Sequence, residues 1–393
     1  MRYLTLNNLE ERLPPVPLLL QVLFPVYTIA NLINFLAPLP LFFEGALVFS
    51  VLYTLITLIH LRDSLKFIDI ALLTLLVALL FYAKHIHQDH VSLVMGLANA
   101  LIAYSIGFLF LRRSWDRMTF RLQYFAIIAI LVYGLLTERK ILPLPAFERT
   151  VLPRYQALSL FVGAAHIYIA DFLNRRFRPR FWPTMIFGFV AFTARTVSGA
   201  IISVLQLGVI TLVNIQYISL FFIGPLHIWI KRHKAVVIII LLLLVFAIIL
   251  IFPYLYLGPR IATIHTRNIS RTYFVDAFLS EMTPKKALTG FTPSFFDRRG
   301  LPNTYLWMIA SFGVFSLLFF AAMLTSLRTF FERSWLLLGI FLIMGVYFAG
   351  ERLFPFNYVD TLFIPLLILG IHKESLYFPF PKEALAPDQF PIE

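Results

Sequence analysis

Apolar runs of about 18 or more residues follow one another along most of this chain, and no other feature limits its fold so strongly. Each run is long enough to cross a hydrocarbon core of roughly 30 Å. No water is available there, so backbone N–H and C=O groups must pair within the protein. That leaves helices and closed barrels. Barrel strands alternate apolar and polar residues over short segments, whereas these runs are continuous. The chain of 393 residues is 60% hydrophobic and 13% charged, against roughly 25% charged for ordinary soluble domains. A soluble fold has no means of covering that much apolar surface. The expected fold is all-α: a polytopic helical membrane protein forming a single transmembrane domain over residues 1–393.

The runs fall near 17–36, 40–61, 67–83, 91–111, 120–137, 156–173, 181–195, 197–213, 235–256, 305–325, 334–349 and 360–371, which makes about twelve spans. Residues 214–230 either extend the preceding helix or lie in the interface, because Gly224 and Pro225 break a straight span. The first residues are polar and the first run lacks a small-residue cleavage site, so no cleavable signal peptide is expected. There is no cysteine, which excludes disulfides, thiolate metal sites and iron–sulfur clusters.

Loop charge orients the spans. With the N-terminus in the cytoplasm, the inner loops receive Arg62 and Lys66, then Arg112, Arg113, Arg117 and Arg121. Arg175, Arg176, Arg178 and Arg180 follow, then Lys231, Arg232 and Lys234, and last Arg328 and Arg333. These short loops carry few acids, as the positive-inside rule expects, so both termini are placed in the cytoplasm. The outer face is basic as well. Its largest segment, an expected periplasmic loop over 257–304, holds Arg260, His265, Arg267, Arg271, Lys285, Lys286, Arg298 and Arg299 against Asp276, Glu281 and Asp297. Arginine forks match phosphate oxygens bidentately, so this excess points to an anionic ligand. Within the loop, Ile269–Met282 reads as a short amphipathic helix with Tyr273, Phe274, Ala277 and Phe278 on one face, and TPKKALTGFTP breaks it.

Three smaller features have both a functional and a plain explanation. Arg195, in FTARTVSG, is either a snorkelling interfacial arginine or part of an anion site with the helix start at Ser198 and Gly199. His85, His87, Asp89 and His90 form either a polar turn in a short outer loop or a metal site, and the turn is the simpler reading. Asp171 is expected to reach towards the basic inner loop, and His166 falls in or near a span.

The stretch from Arg271 to Phe320 resembles the signature region of the O-antigen polymerase and ligase superfamily, the Wzy and WaaL proteins. Members have an arginine-bearing periplasmic segment, a P-x-x-G-x-G turn, then H-N-x-x-L and a glycine entering a helix. This chain offers Arg271, then Leu288-Thr289-Gly290-Phe291-Thr292-Pro293, then Pro302-Asn303-Thr304-Tyr305-Leu306 and Gly313. FTARTVSGAIISVLQLG resembles the family's T-x-S-R helix start and places Arg195 on one family arginine. The second falls on Arg271, with Arg267 as the alternative. Pro302 stands where ligases carry His, which favours polymerase over ligase and leaves the general base unassigned.

The resemblance implies a metal-independent glycosyltransferase of the bacterial inner membrane that polymerises undecaprenyl-diphosphate-linked repeat units on the periplasmic side, with no cofactor and no nucleic-acid partner. Arg195 and Arg271 would hold the diphosphate, with Glu351 as candidate base beside Arg352. His265, Arg267, Lys285, Lys286, Arg298, Arg299, Asn303, Tyr305 and Arg352 would contact the lipid-linked oligosaccharide. A flippase and a chain-length regulator are the implied partners. The competing classes are an O-antigen ligase and a transporter or flippase of lipid-linked sugars; transporters show internal repeats and broken helices at mid-depth. A glycosyltransferase of the GT-C class would carry an acidic residue in its first outer loop, which here is Ala37-Pro38-Leu39-Pro40.

Overall fold

The computed structural model describes residues 14–37, 40–87, 90–138, 141, 153–173, 179–193, 197–222, 233, 276–291, 304–350 and 359–372. Among them the protein is all helical, with no strand and a single isolated bridge, Pro15 to Ser114. The first eight helices are α1 (Leu18–Leu36), α2 (Pro40–Leu61), α3 (Phe67–His87), α4 (His90–Arg112), α5 (Arg117–Glu138), α6 (Pro153–Leu173), α7 (Trp182–Thr193) and α8 (Val197–Phe222). Then follow α9 (Pro284–Thr289), α10 (Thr304–Phe312), α11 (Ser316–Arg333), α12 (Trp335–Gly350) and α13 (Asp360–Ile371). Helices occupy the stretches expected from 17–36 to 197–213, and α8 continues through 214–222 without a break. The stretch at 235–256 lies outside the described residues.

Local sequence explains several boundaries. Pro40 and Pro153 open α2 and α6 at the position where a missing N–H costs nothing. Four segments are long and apolar enough to cross a membrane: Glu44–Ser64, Val94–Arg112, Arg117–Thr137 and Thr304–Arg333. Shorter apolar helices pack with them, among them Leu18–Asn34, Ala157–Leu173 and Asp360–Ile371. The histidine cluster lies on helix ends, not in an open loop. Helix α3 runs to His87 and α4 begins at His90.

Two helices form the centre. Helix α4 is buried from Ala98 to Leu111, and α13 is buried from Asp360 to Gly370. Their axes approach closely because Gly107 has no side chain. A Cβ there would lie 2.7 Å from Ile368 Cδ1 and 3.2 Å from the Pro365 Cα. Gly370 gives α11 the same access, since a Cβ would meet Ser326. Small residues at such crossings allow the backbone contact that drives helix association in an apolar solvent.

One end of the bundle is tied by polar groups, and we call it the near face. Val16 N–H donates to Ser114 O (3.0 Å) and Ser114 N–H to Pro14 O (3.1 Å), which joins the start of α1 to the α4–α5 connection. Asp69, at the start of α3, is fully buried and accepts from Arg112 at the end of α4. It also accepts from the Lys66 N–H (2.8 Å), and its other oxygen lies 3.0 Å from His372 Nε2 at the end of α13. His372 Nδ1 lies 3.0 Å from Ile368 O. Tyr104 donates to Asp69 O (2.7 Å). The near face therefore collects the ends of α2, α4, α6 and α13 and the starts of α1, α3, α5 and α7.

Removing one partner of a buried ion pair strands the other, at a cost of about 3–5 kcal/mol. Asp69→Ala is expected to lower stability by that order in denaturant titrations of the purified protein. Asp63→Ala, which breaks the exposed Arg62–Asp63 pair, is expected to leave the midpoint unchanged. Equal midpoints for both variants would remove Asp69 from this role.

Candidate functional site

The opposite end carries the junction at which the basic segment meets the bundle. Residues 276–280 form a short helical turn, with Ala277 and Phe278 buried as the amphipathic pattern requires. The segment TPKKALTG does not simply break this helix; it builds α9 of its own. Thr283 caps it by accepting from the Lys286 N–H (3.2 Å), and Pro284 takes the first position. These are favourable helix-start residues, so the cap outweighs the breaker signal. Gly290, at φ 85°, ends α9 and turns the chain inward to Phe291.

Phe291 enters a small apolar cluster with Phe278, Trp307 and Ala310, separate from the main core. Its ring stacks on Phe278 at 4.8 Å. Its N–H donates to Ala310 O at 2.9 Å. In an unbroken helix that carbonyl would accept from residue 314. The chain turns at Gly313 (φ 54°), and the loop satisfies the group that the turn leaves open.

The break is sharp. Tyr305 and Phe320 have ring centroids 6.3 Å apart. Fifteen residues of straight helix would separate them by about 22 Å. Helices α10 and α11 are thus two arms meeting at Gly313, so the stretch expected as a span at 305–325 carries a corner within it. Only glycine fits the corner: a Cβ on Gly313 would lie 2.3 Å from Leu288 O and 2.7 Å from Gly290 N. Tyr82 of α3 holds the same corner, with its hydroxyl donating to Thr289 O (2.8 Å) and its ring against Phe315 (5.3 Å).

Because α10 leaves the axis of α11, its first residue lies inside the bundle. Thr304 is fully buried. The Tyr305 hydroxyl donates to Gly345 O (2.8 Å), ten residues into α12 and so about 15 Å from its near-face start. Helix α13 is also short. Its twelve residues reach about 18 Å from the near face, and Asp360 at its start is buried. Phe348 sits edge-on to both Tyr305 (6.1 Å) and Phe363 (4.8 Å), so two interior helix starts flank one ring. The first turn of any helix presents N–H groups without intrahelical acceptors and a positive dipole end. Asp360 places a carboxylate in the first turn of α13, whereas α10 has no acid in its first turn. The positive dipole end of α10 therefore has no acid in its own first turn.

A polar layer lies at similar depth. Asn99 Oδ1 accepts from the Tyr27 hydroxyl (2.9 Å) and from Asn31 Nδ2 (2.8 Å), and Asp360 acts electrostatically on Tyr27. His166 Nε2 lies 2.9 Å from Thr361 O, with Phe24 and Phe120 against its ring. Asn31 and Asn99 were missed by motif reasoning. Their signal was a polar side chain in the middle of an apolar run, which in a bundle marks an interior face.

Of the sequence-derived site residues, the structure describes three. Lys286 is engaged locally, 3.6 Å from Glu281 and 5.1 Å from the Phe291 ring centroid. Lys285 is exposed on α9. Tyr305 braces α10 against α12. Arg195, His265, Arg267, Arg271, Arg298, Arg299, Asn303, Glu351 and Arg352 lie outside the described residues. In sequence, Asn303 directly precedes Thr304, and Arg195 falls between the end of α7 at Thr193 and the start of α8 at Val197. No family model, curated protein or solved structure matches the chain.

Gly313→Ala places a Cβ against backbone and forces a left-handed conformation, a strain of about 1–3 kcal/mol. The loop over Gly313 is expected to detach. Tryptic cleavage after Lys285 and Lys286 should then rise about tenfold or more in the folded protein, since opening of this order shifts populations by that factor. Unchanged cleavage would show that the loop does not depend on the corner.

Proposed function

We propose that this chain is a membrane glycosyltransferase that polymerises lipid-diphosphate-linked oligosaccharides, with its near face in the cytoplasm and its site opening to the periplasm. One observation carries the reading: a basic, turn-rich segment leads into a half-helix whose acid-free start is buried in the bundle. A diphosphate leaving group gains negative charge as its bond to the sugar C1 breaks. Arginines and helix N–H groups fixed in a partly dry site stabilise that charge without reorganisation. Arg195 and Arg271 are the arginines assigned to this purpose, and the start of α10 adds its positive dipole end. The acceptor hydroxyl of the next repeat unit forms the new glycosidic bond and gives its proton to a carboxylate, for which Glu351 is the candidate. The polyprenyl tail lies along apolar helix faces. The reading extends to a bacterial inner-membrane location, to about twelve spans with both termini in the cytoplasm, and to a flippase and a chain-length regulator as partners.

A second reading has its own support. Half-helices ending inside a bundle also line the binding sites of transporters, and α10 and α13 have that form. A carrier of the same lipid-linked sugar would use the same anion-binding helix start without a chemical step.

The deciding experiment supplies proteoliposomes with a lipid-linked repeat unit and resolves the products on a gel. A polymerase gives multi-repeat ladders that collapse to a single repeat in Arg195→Ala and in Arg271→Ala at equal membrane abundance. Ladders unchanged in both variants would sink the site assignment. Substrate crossing the bilayer with no elongation would establish the transporter instead.

A further inference from the structure

The near face carries a cluster of arginines that the proposed reaction does not use. Arg117 and Arg121 are four residues apart and share one face of α5. Arg117 Nε lies 3.3 Å from Asp171 Oδ1 on α6, and Asp171 is almost fully buried. Arg121 and Arg180 act on the same carboxylate. Arg117 is paired with this acid, and the two further arginines exceed it in charge. Nε and Nη2 of Arg121 are buried and make no hydrogen bond. Guanidinium N–H groups withdrawn from water without an acceptor are costly, and a charged oxygen ligand is the group that offsets that cost.

The surroundings identify the ligand as amphiphilic. One turn along α5 from Arg121, Phe125 is exposed and stacks face to face on Trp182 at the start of α7 (5.4 Å, 5°). Tyr124 meets the same indole edge-on at 5.8 Å. An aromatic pair beside a cluster of arginines at a bundle end matches the headgroup level of a bilayer, where rings sit between acyl chain and water. Exposed Leu122 and Met185 continue the apolar surface.

We propose that Arg117, Arg121 and Arg180 form a binding site for the phosphate headgroup of an anionic phospholipid, with its acyl chains lying along Phe125 and Trp182. Basic pockets between helices on one membrane face are suited to such headgroups. This site rests on membrane embedding alone and stands apart from the sugar chemistry at the other end of the bundle.

The test uses the full chain, delipidated in neutral detergent, with three probes: phosphatidylglycerol, phosphatidylcholine and inorganic phosphate. Native mass spectrometry reads bound lipid and thermal unfolding reads stabilisation. Wild type should retain phosphatidylglycerol and gain stability from it. Arg121→Gln should weaken that binding by about tenfold or more, as loss of a charge-assisted contact predicts. Arg180→Gln, at an exposed position, serves if Arg121→Gln fails to fold. Arg328→Gln, in an exposed pair on α11, should bind as wild type does. Equal retention of phosphatidylcholine, equal stabilisation by inorganic phosphate, or unchanged binding in both Arg121→Gln and Arg180→Gln would each overturn the proposal.

Discussion

The buried carboxylate of Asp69 is the fixed point of this bundle. It gathers Arg112 from α4, His372 from α13 and a backbone N–H from the α2–α3 connection. A charge withdrawn from water is tolerated only where its partners are in place, so the group specifies which helix ends meet. Glycines at the crossings of α4 and α13 then let the backbones close up. Each contact depends on the other: without the ion pair the helices have no common level, and without Gly107 they cannot approach.

Fixing α13 at its C-terminal end decides where its other end stands. Twelve residues of helix reach only about 18 Å, which leaves Asp360 and Thr361 among the inward-facing groups of α1, α4 and α6. Helix α10 reaches similar depth from the opposite direction. Its corner at Gly313 is stabilised by α9, by the Phe291 N–H and by Tyr82. The polar interior of the bundle is thus a consequence of two helices that stop part-way. Irregular backbone at such depth is tolerated where protein surrounds it, and here the loop supplies the hydrogen bonds that the break removes.

The polar chemistry is segregated between the two ends. The near face has carboxylates paired with arginine in excess, and the opposite end has capped short helices, a glycine corner and lysines. Polar groups are expensive in an apolar environment, so each must be satisfied by a partner, kept at a surface or used. Gly290, Tyr305 and Gly313 belong to the corner between α10 and α11 and the arm that leaves it. Their geometry has its own explanation: two glycines meet where no Cβ fits, and a tyrosine braces the arm that results.

Much was legible in the sequence because it depends on runs of side chains. Apolar length marks the helices, and Asp171, next to a basic stretch in sequence, meets Arg117. What the sequence could not decide depends on partners distant along the chain. The run at 305–325 is uniformly apolar, so nothing local distinguishes a straight span from two arms; the corner exists because Leu288 and Gly290 pack against Gly313. TPKKALTG reads as a breaker until a cap and a packing surface make it a helix. Asn31 and Asn99 look like isolated polar residues until α1 and α4 bring them to one hydrogen-bonded layer. The sequence by itself determined a helical chain built of apolar segments. The tertiary structure decided which of those segments stop inside the bundle, because that outcome is set by backbone contacts and buried charges between residues far apart in sequence.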